Sequence, residues 1–451
     1  MHSRNHAFNI GLNVAGMVLP MLAGALTVPG LLHRLGQERF GILALSWALV
    51  GYFGFLDLGI GRALTQHLAS AEKAGTSREE QATLACAARR LLGGFSLFWA
   101  LLLWLLLPWL ASFVQMSADL HAQVLAAIPL LALAVPFTMW FTCSAGVLEA
   151  RSRFGAVNSV RIPAGVGNFL LPWFVSMFTT DLSWVIGSIL GGRLVSAASM
   201  ALWAKPEFFH ATSHWPTKSI TELLRFGGWM TLSNLVGPLM SYFDRFAIAA
   251  LATVTAVTHY TVPFDVLSRL PMVPIAVMAV LLPLLAQANQ TTHSTNDHNP
   301  TARRTVILLL ICWIPGMVLI AWTGPLFLEW WVGAEMSQAS TPIWRWLAIG
   351  VLVNGLAHLP FTMLQSAGRT DIIAKIHLLE LLPYGVGLWW ALNHYGVVGA
   401  AILWSLRVSI DMGLLFICAS QIFPSWRRFF LGVTLCGLAG ALTTIWIATR
   451  T

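Results

Sequence analysis

The chain has 451 residues, of which 57% are hydrophobic and only 10% charged, with a mean hydropathy of +0.73. Ordinary soluble domains carry about a quarter charged residues, so this composition excludes a soluble globular protein, and its high apolar content excludes disorder. The net charge of +8 comes from Lys and Arg spread over short loops, which is the habit of a polytopic membrane protein and not of a nucleic-acid binder.

One helical crossing needs about 20 apolar residues. Apolar runs between polar and Pro/Gly breaks predict thirteen spans: 8–32, 40–68, 88–113, 122–148, 157–178, 182–204, 223–250, 256–286, 305–329, 342–367, 373–394, 397–420 and 429–448. The opening residues run straight into the first apolar segment, which reads as an uncleaved helix. With the N-terminus cytoplasmic, 17 of the 26 Lys and Arg fall in cytoplasmic segments, 4 on the opposite side and 5 inside spans. That asymmetry predicts an N-terminus inside. The longest gaps, 69–87, 205–222 and 287–304, are then all cytoplasmic, and no soluble domain is inserted.

Several chemistries have no motif here. The five cysteines, Cys86, Cys143, Cys312, Cys418 and Cys436, are odd in number and form no CxxC, so neither a disulfide framework nor a zinc site is expected. No GxxxxGK[ST] and no HExxH occurs. The expectation is a protein without metal, cofactor or catalytic residue. Short outer loops also leave little room for a membrane-embedded glycan polymerase or ligase. Most of the 21 Trp, including Trp330–Trp331 and Trp389–Trp390, sit near span ends where an aromatic belt is expected.

The two halves of the chain echo each other. PFTM occurs at Pro136–Met139 and Pro360–Met363, each followed by SAG at Ser144–Gly146 and Ser366–Gly368. Arg193 is echoed by Arg407, and Asp57 and Arg62 by Asp265 and Arg269. Mapping spans 1–6 onto 7–12 gives parallel repeats about an axis along the membrane normal, an arrangement that puts a central cavity between two bundles. The predicted fold is all-α, with bundles over 1–205 and 223–421, a cytoplasmic linker over 206–222, and a candidate extra transmembrane helix within 422–451.

Ten ionisable residues fall inside spans: Asp57, Arg62, Arg193, Asp244, Arg245, Asp265, Arg269, Glu380, Arg407 and Asp411. Each costs about 2.5–3.5 kcal/mol if left facing lipid, so they are expected to face one another, backbone or a wet cavity. The i,i+4 spacing predicts ion pairs Asp265–Arg269 and Arg407–Asp411. Arg62, Arg193, Arg269 and Arg407 are the candidates for binding an anionic head group, because a guanidinium makes bidentate contacts to phosphate. Asp57, Asp265, Glu380 and Asp411 are the candidates for a coupling ion or for ion pairs. His358 and His377, also inside spans, read more readily as packing.

The stretch Pro29 to Gly41, with Leu35-Gly36 and Phe40-Gly41, followed by Trp47, Tyr52 and Asp57-Leu-Gly-Ile-Gly-Arg62, resembles the start of the bacterial polysaccharide flippases. These belong to the multidrug/oligosaccharidyl-lipid/polysaccharide exporter superfamily. The resemblance covers most of the chain, and the segment 429–448 departs from the twelve spans it implies. It implies alternating-access transport of a polyprenyl-pyrophosphate-linked oligosaccharide across a bacterial inner membrane, for O-antigen, capsule or exopolysaccharide. The expected partners are that lipid-linked glycan, membrane lipid and other polysaccharide-assembly proteins, with the chain itself a monomer. A multidrug exporter, a lipid II flippase and a glycan polymerase or ligase are the competing readings.

Overall fold

The computed structural model describes residues 2–55, 57, 59–208, 220–221, 242–290 and 300–450. Among these residues the chain is all helical, with no strand. The helices are α1 (His2–Tyr52), α2 (Ile60–Lys73), α3 (Arg78–Ala111), α4 (Ala118–Ala150), α5 (Phe154–Val175) and α6 (Leu182–Ala204). There follow α7, described over 242–251, α8 (Val254–Leu267), α9 (Met272–Gln290), α10 (Pro300–Val332), α11 (Ala334–Ser366), α12 (Thr370–Ile422) and α13 (Arg427–Arg450). Nine helical stretches among the described residues are long and apolar enough to cross a membrane, and the chain is a multi-pass membrane protein. The chain divides into two compact units, residues 1–242 and 243–451.

Nine helices and thirteen predicted spans are compatible, because two helices each carry two spans. Gly36 (φ 76°) interrupts α1 between the first and second predicted spans. Gly396 (φ 59°) does the same in α12, between the eleventh and twelfth. Both need a backbone conformation that only glycine adopts freely. Helix α5 carries span 5, and most of span 7 lies outside the described residues. The thirteenth span is α13, an integral part of its unit. Its Gly437 lies against Leu356 of α11 and its Gly440 against Ile314 of α10, while Arg303 donates to the Ser425 carbonyl at its start.

Spans 2 and 8 are not continuous helices, contrary to the sequence reading. Span 2 leaves helix after Phe55 and resumes at Ile60, with Gly59 left-handed at φ 67°. Span 8 stops at Leu267 and resumes at Met272. Each half therefore breaks its second span.

The repeat is structural, but in a different register from the echoed strings. Helices α4 and α11 have 33 residues each, starting at 118 and 334, an offset of 216. Their C-terminal turns close with the same bonds: Arg151, Ser152 and Arg153 N–H donate to Val147, Glu149 and Leu148, and Ala367, Gly368 and Arg369 to Met363, Gln365 and Leu364. Ser152 and Gly368 both take positive φ there. The PFTM and SAG matches sit at offsets of 224 and 222, two turns out of step. They are coincident strings.

Packing across these helices depends on tryptophans seated on glycines. In the second unit Trp344 of α11 lies over Gly324 of α10 and donates to the Ile320 carbonyl at 3.0 Å. Trp313 of α10 reciprocates, lying over Gly355 of α11 and donating to Leu352 at 3.0 Å. A Cβ at either glycine would run into an indole ring. Gly324→Ala and Gly355→Ala are each expected to destabilise by about 1–3 kcal/mol through overpacking. Thermal unfolding in detergent checks this, and unchanged midpoints for both would refute the indole-on-glycine seam.

Candidate functional site

In the first unit, Asp57 sits in the break of span 2 and is buried. Its carboxylate accepts the Gly59 N–H at 2.9 Å and the Gly61 N–H at 3.3 Å, and its carbonyl accepts the Ile60 N–H. It caps α2, satisfying amides that an interrupted helix leaves without partners inside a membrane. Gly61 in turn faces Gly146 of α4, with the Thr65 hydroxyl within 3.1 Å of the Gly146 carbonyl. Asp57, Gly59 and Gly61 thus build a capped break and a close helix crossing. Arg62, in the first turn of α2, is exposed. Arg193 lies on the α6 stripe that buries Ile186, Ile189, Ala197 and Met200, and is itself half-buried. Neither Arg62 nor Arg193 makes an ion pair with any described residue.

In the second unit the buried charges form a connected set. Asp244 of α7 is fully buried and accepts two phenol hydroxyls, Tyr260 of α8 at 2.8 Å and Tyr384 of α12 at 2.5 Å. Its neighbour Arg245 is buried too and pairs with Asp265 at 2.5 Å, with its guanidinium over the Phe264 ring at 5.6 Å. Both members of the Asp244-Arg245 dipeptide therefore point into protein. Along α12, His377, Glu380 and Tyr384 follow one another at helical spacing on one face. Past the Gly396 break, the same helix returns Arg407 and Asp411 to meet them. Arg407 Nε lies 3.9 Å from Glu380 Oε2, and His377 Nε2 lies 3.6 Å from Asp411 Oδ1. The Arg407 guanidinium also stands 5.4 Å from the centre of the Tyr384 ring.

Neither ion pair expected from i,i+4 spacing forms. Asp265 gives its carboxylate to Arg245 of α7, and Arg269 Nε donates instead to the Asp265 carbonyl at 3.0 Å. Arg407 turns to Glu380 and Asp411 to His377. In each case a group on another helical segment competes better than the neighbour one turn away. Of the four candidate arginines, only Arg407 has a carboxylate partner among the described residues. Sequence reasoning passed over Tyr260 and Tyr384 and read His377 as packing, yet all three carry much of the network; their signal was a polar group inside an apolar span.

Residues 7–289 match the family model for polysaccharide biosynthesis proteins. The chain belongs to the polysaccharide biosynthesis protein family. It is 29% identical over 403 residues to a Shigella flexneri protein named "Putative O-antigen transporter", covering 89% of this chain and 95% of that one. Among solved structures it resembles a multidrug resistance MATE family transporter of the MOP superfamily in an inward-facing conformation, with a TM-score of 0.74 at 13% identity, covering 92% of this chain and 99% of that one. It also resembles the lipid II flippase MurJ in an inward closed conformation, with a TM-score of 0.68 at 14% identity, covering 98% and 99%. The fold is thus that of the MOP-superfamily transporters, and each of these relatives is named as a transporter or flippase, not as an enzyme.

The tyrosine clamp on Asp244 can be tested by itself. A hydrogen bond to a charged group contributes about 1.5–3 kcal/mol, so Tyr260→Phe and Tyr384→Phe should each lower stability by roughly that amount. In an Asp244→Asn background the same changes should cost markedly less. A double-mutant cycle on thermal unfolding reads the coupling, and strict additivity would show that the hydroxyls do not act through Asp244.

Proposed function

We propose that the chain is a flippase that moves a polyprenyl-pyrophosphate-linked oligosaccharide from the inner to the outer leaflet of a bacterial cytoplasmic membrane, by alternating access. The glycan would serve O-antigen, capsule or exopolysaccharide synthesis. The N-terminus is cytoplasmic, the bundles 1–205 and 223–421 are joined by the linker 206–222, and the protein works as a monomer beside other polysaccharide-assembly proteins.

One observation carries this reading. Each half breaks its second span, and beside each break stands an arginine with no carboxylate partner among the described residues, Arg62 and Arg269. Interrupted membrane helices at corresponding places in two repeats are where transporters bind their cargo. Unpaired guanidinium groups there favour a polyanionic head group, and pyrophosphate supplies several oxygens for bidentate contacts. Arg193, half-buried and also without an acid, is a third candidate. Arg407 joins them less readily, because Glu380 already faces it. The family and the 29% identical O-antigen transporter relative support the same substrate class.

A multidrug exporter is the second reading, favoured by the MATE-like fold. Unpaired arginines would repel an organic cation, and this weighs against it. Cells depleted of the protein should accumulate undecaprenyl-linked repeat units on the inner side, counted by mass spectrometry, with outer exposure tested by an impermeant glycan-modifying enzyme. Normal exposure on depletion, together with lost tolerance to cationic drugs, would favour the exporter. Replacing Arg62, Arg193 or Arg269 by Gln should slow exposure by roughly 10–100-fold, the worth of one charge-assisted contact, with partial recovery in the Lys variants. Full activity in all three Gln variants would remove the head-group assignment.

A further inference from the structure

The four candidate carboxylates for a coupling ion are not equivalent. Asp57 spends both oxygens on backbone amides and caps a helix. Asp265 is neutralised by Arg245. Glu380 and Asp411 differ. Both are buried, and neither Glu380 oxygen nor Asp411 Oδ1 receives a hydrogen bond. The nearest nitrogens, Arg407 Nε to Glu380 and His377 Nε2 to Asp411, stand at 3.9 and 3.6 Å, beyond hydrogen-bonding distance. A buried carboxylate without a donor is costly unless it carries a proton or acquires a partner.

We propose that the returning segments of α12 hold the coupling ion, and that this ion is a proton shared among Glu380, Asp411 and His377. The inference rests on the flippase reading for its purpose but not for its chemistry. Two carboxylates and Arg407 sum to a charge of −1 while His377 is neutral. One proton taken from water, either on a carboxylate oxygen or on His377, brings the cluster to zero, and its release restores the unbalanced state. An unbalanced charge in a low-dielectric interior is disfavoured, so protonation is tied to whether water reaches the cluster. That gives a transporter a two-state element.

The surroundings favour a proton over a metal cation. The groups bearing on the three are one another and Arg407, with Asp244 behind Tyr384. Helix α8 adds only the Tyr260 hydroxyl, on that same Asp244. The ionisable residues of α11 (Glu335, Arg345 and His358) and of α13 (Arg427, Arg428 and Arg450) form no ion pair with them among the described residues. No set of three His, Cys, Asp or Glu among the described residues is arranged to hold a metal ion. A proton needs only a lone pair.

The test begins with the purified full-length protein and needs no glycan. Dicyclohexylcarbodiimide attacks protonated carboxyl groups in apolar surroundings. Labelling of Glu380 or Asp411, located by mass spectrometry of peptides, should fall at least tenfold between about pH 6 and about pH 9, a range that brackets the ordinary pKa of histidine. Equal labelling at both, or none at either, would overturn the proton site even if the protein proves to be a flippase. Glu380→Gln and Asp411→Asn should each take up about one proton fewer than the unaltered protein over that range by difference potentiometry. Unchanged uptake in both overturns it equally. In cells, collapsing the proton gradient alone should cut outer-leaflet exposure at least tenfold, and collapsing the sodium gradient alone should not. A sodium-only response would assign the coupling elsewhere. Pronounced pH-dependent labelling with no effect of depletion on exposure would leave the proton site standing and remove the flippase reading.

Discussion

Inside a hydrocarbon layer, every backbone amide and every charge must find its partner within the protein. The features that distinguish this chain from a plain bundle of apolar helices follow from that rule. A helix can be interrupted in span 2 only because Asp57 folds back on the amides of Gly59 and Gly61. Arg269 can stand at the break of span 8 because the Asp265 carbonyl receives its Nε–H. Asp244 can be sealed completely because two tyrosines turn their hydroxyls onto it. Where partners are missing, at Arg62 and Arg193 on one unit and at Glu380 and Asp411 on the other, the unmet demand is what makes those positions candidates for cargo or ion.

The two units meet this demand differently. The second unit pools its charges: Asp244, Arg245, Asp265, Glu380, Arg407 and Asp411 connect through Tyr260, Tyr384 and His377. The first unit pools nothing. Among the described residues its buried intramembrane acid, Asp57, is consumed by a helix cap, and neither Arg62 nor Arg193 closes an ion pair. On helices α4 and α11, which have equal lengths and close with the same turn, the two halves share a scaffold and differ in the charges around it.

Much of the scaffold was legible in the sequence because hydropathy and glycine report directly on crossing and turning. The gaps at 33–39 and 395–396 contain Gly36 and Gly396, the two positions where one long helix becomes two spans. The breaks within spans 2 and 8 were hidden, since Leu, Ile and Gly keep the segment apolar whether or not it is helical. Charge pairing was also hidden. A spacing rule sees only its own helix, whereas Arg245 reaches Asp265 twenty positions away and Asp411 finds His377 across a helix break. The repeat was visible in outline and misaligned in detail, because four-letter apolar strings recur by chance and a hydrogen-bonded turn cannot be read from them.

Helix α13 makes the two units unequal in another way. It covers the seam between α10 and α11 with Gly437 and Gly440, and turns Leu431, Leu435, Leu438, Leu442 and Trp446 outward. In the first unit, α3 shows Leu97, Leu101, Trp104, Leu105 and Trp109 outward with no such cladding among the described residues. Annular lipid on that side of the second unit therefore meets α13 before it meets the α10–α11 seam. A change in bilayer thickness or lateral pressure would reach the Trp313 and Trp344 seats through that outer helix, which makes it a buffer between lipid and the packing beneath.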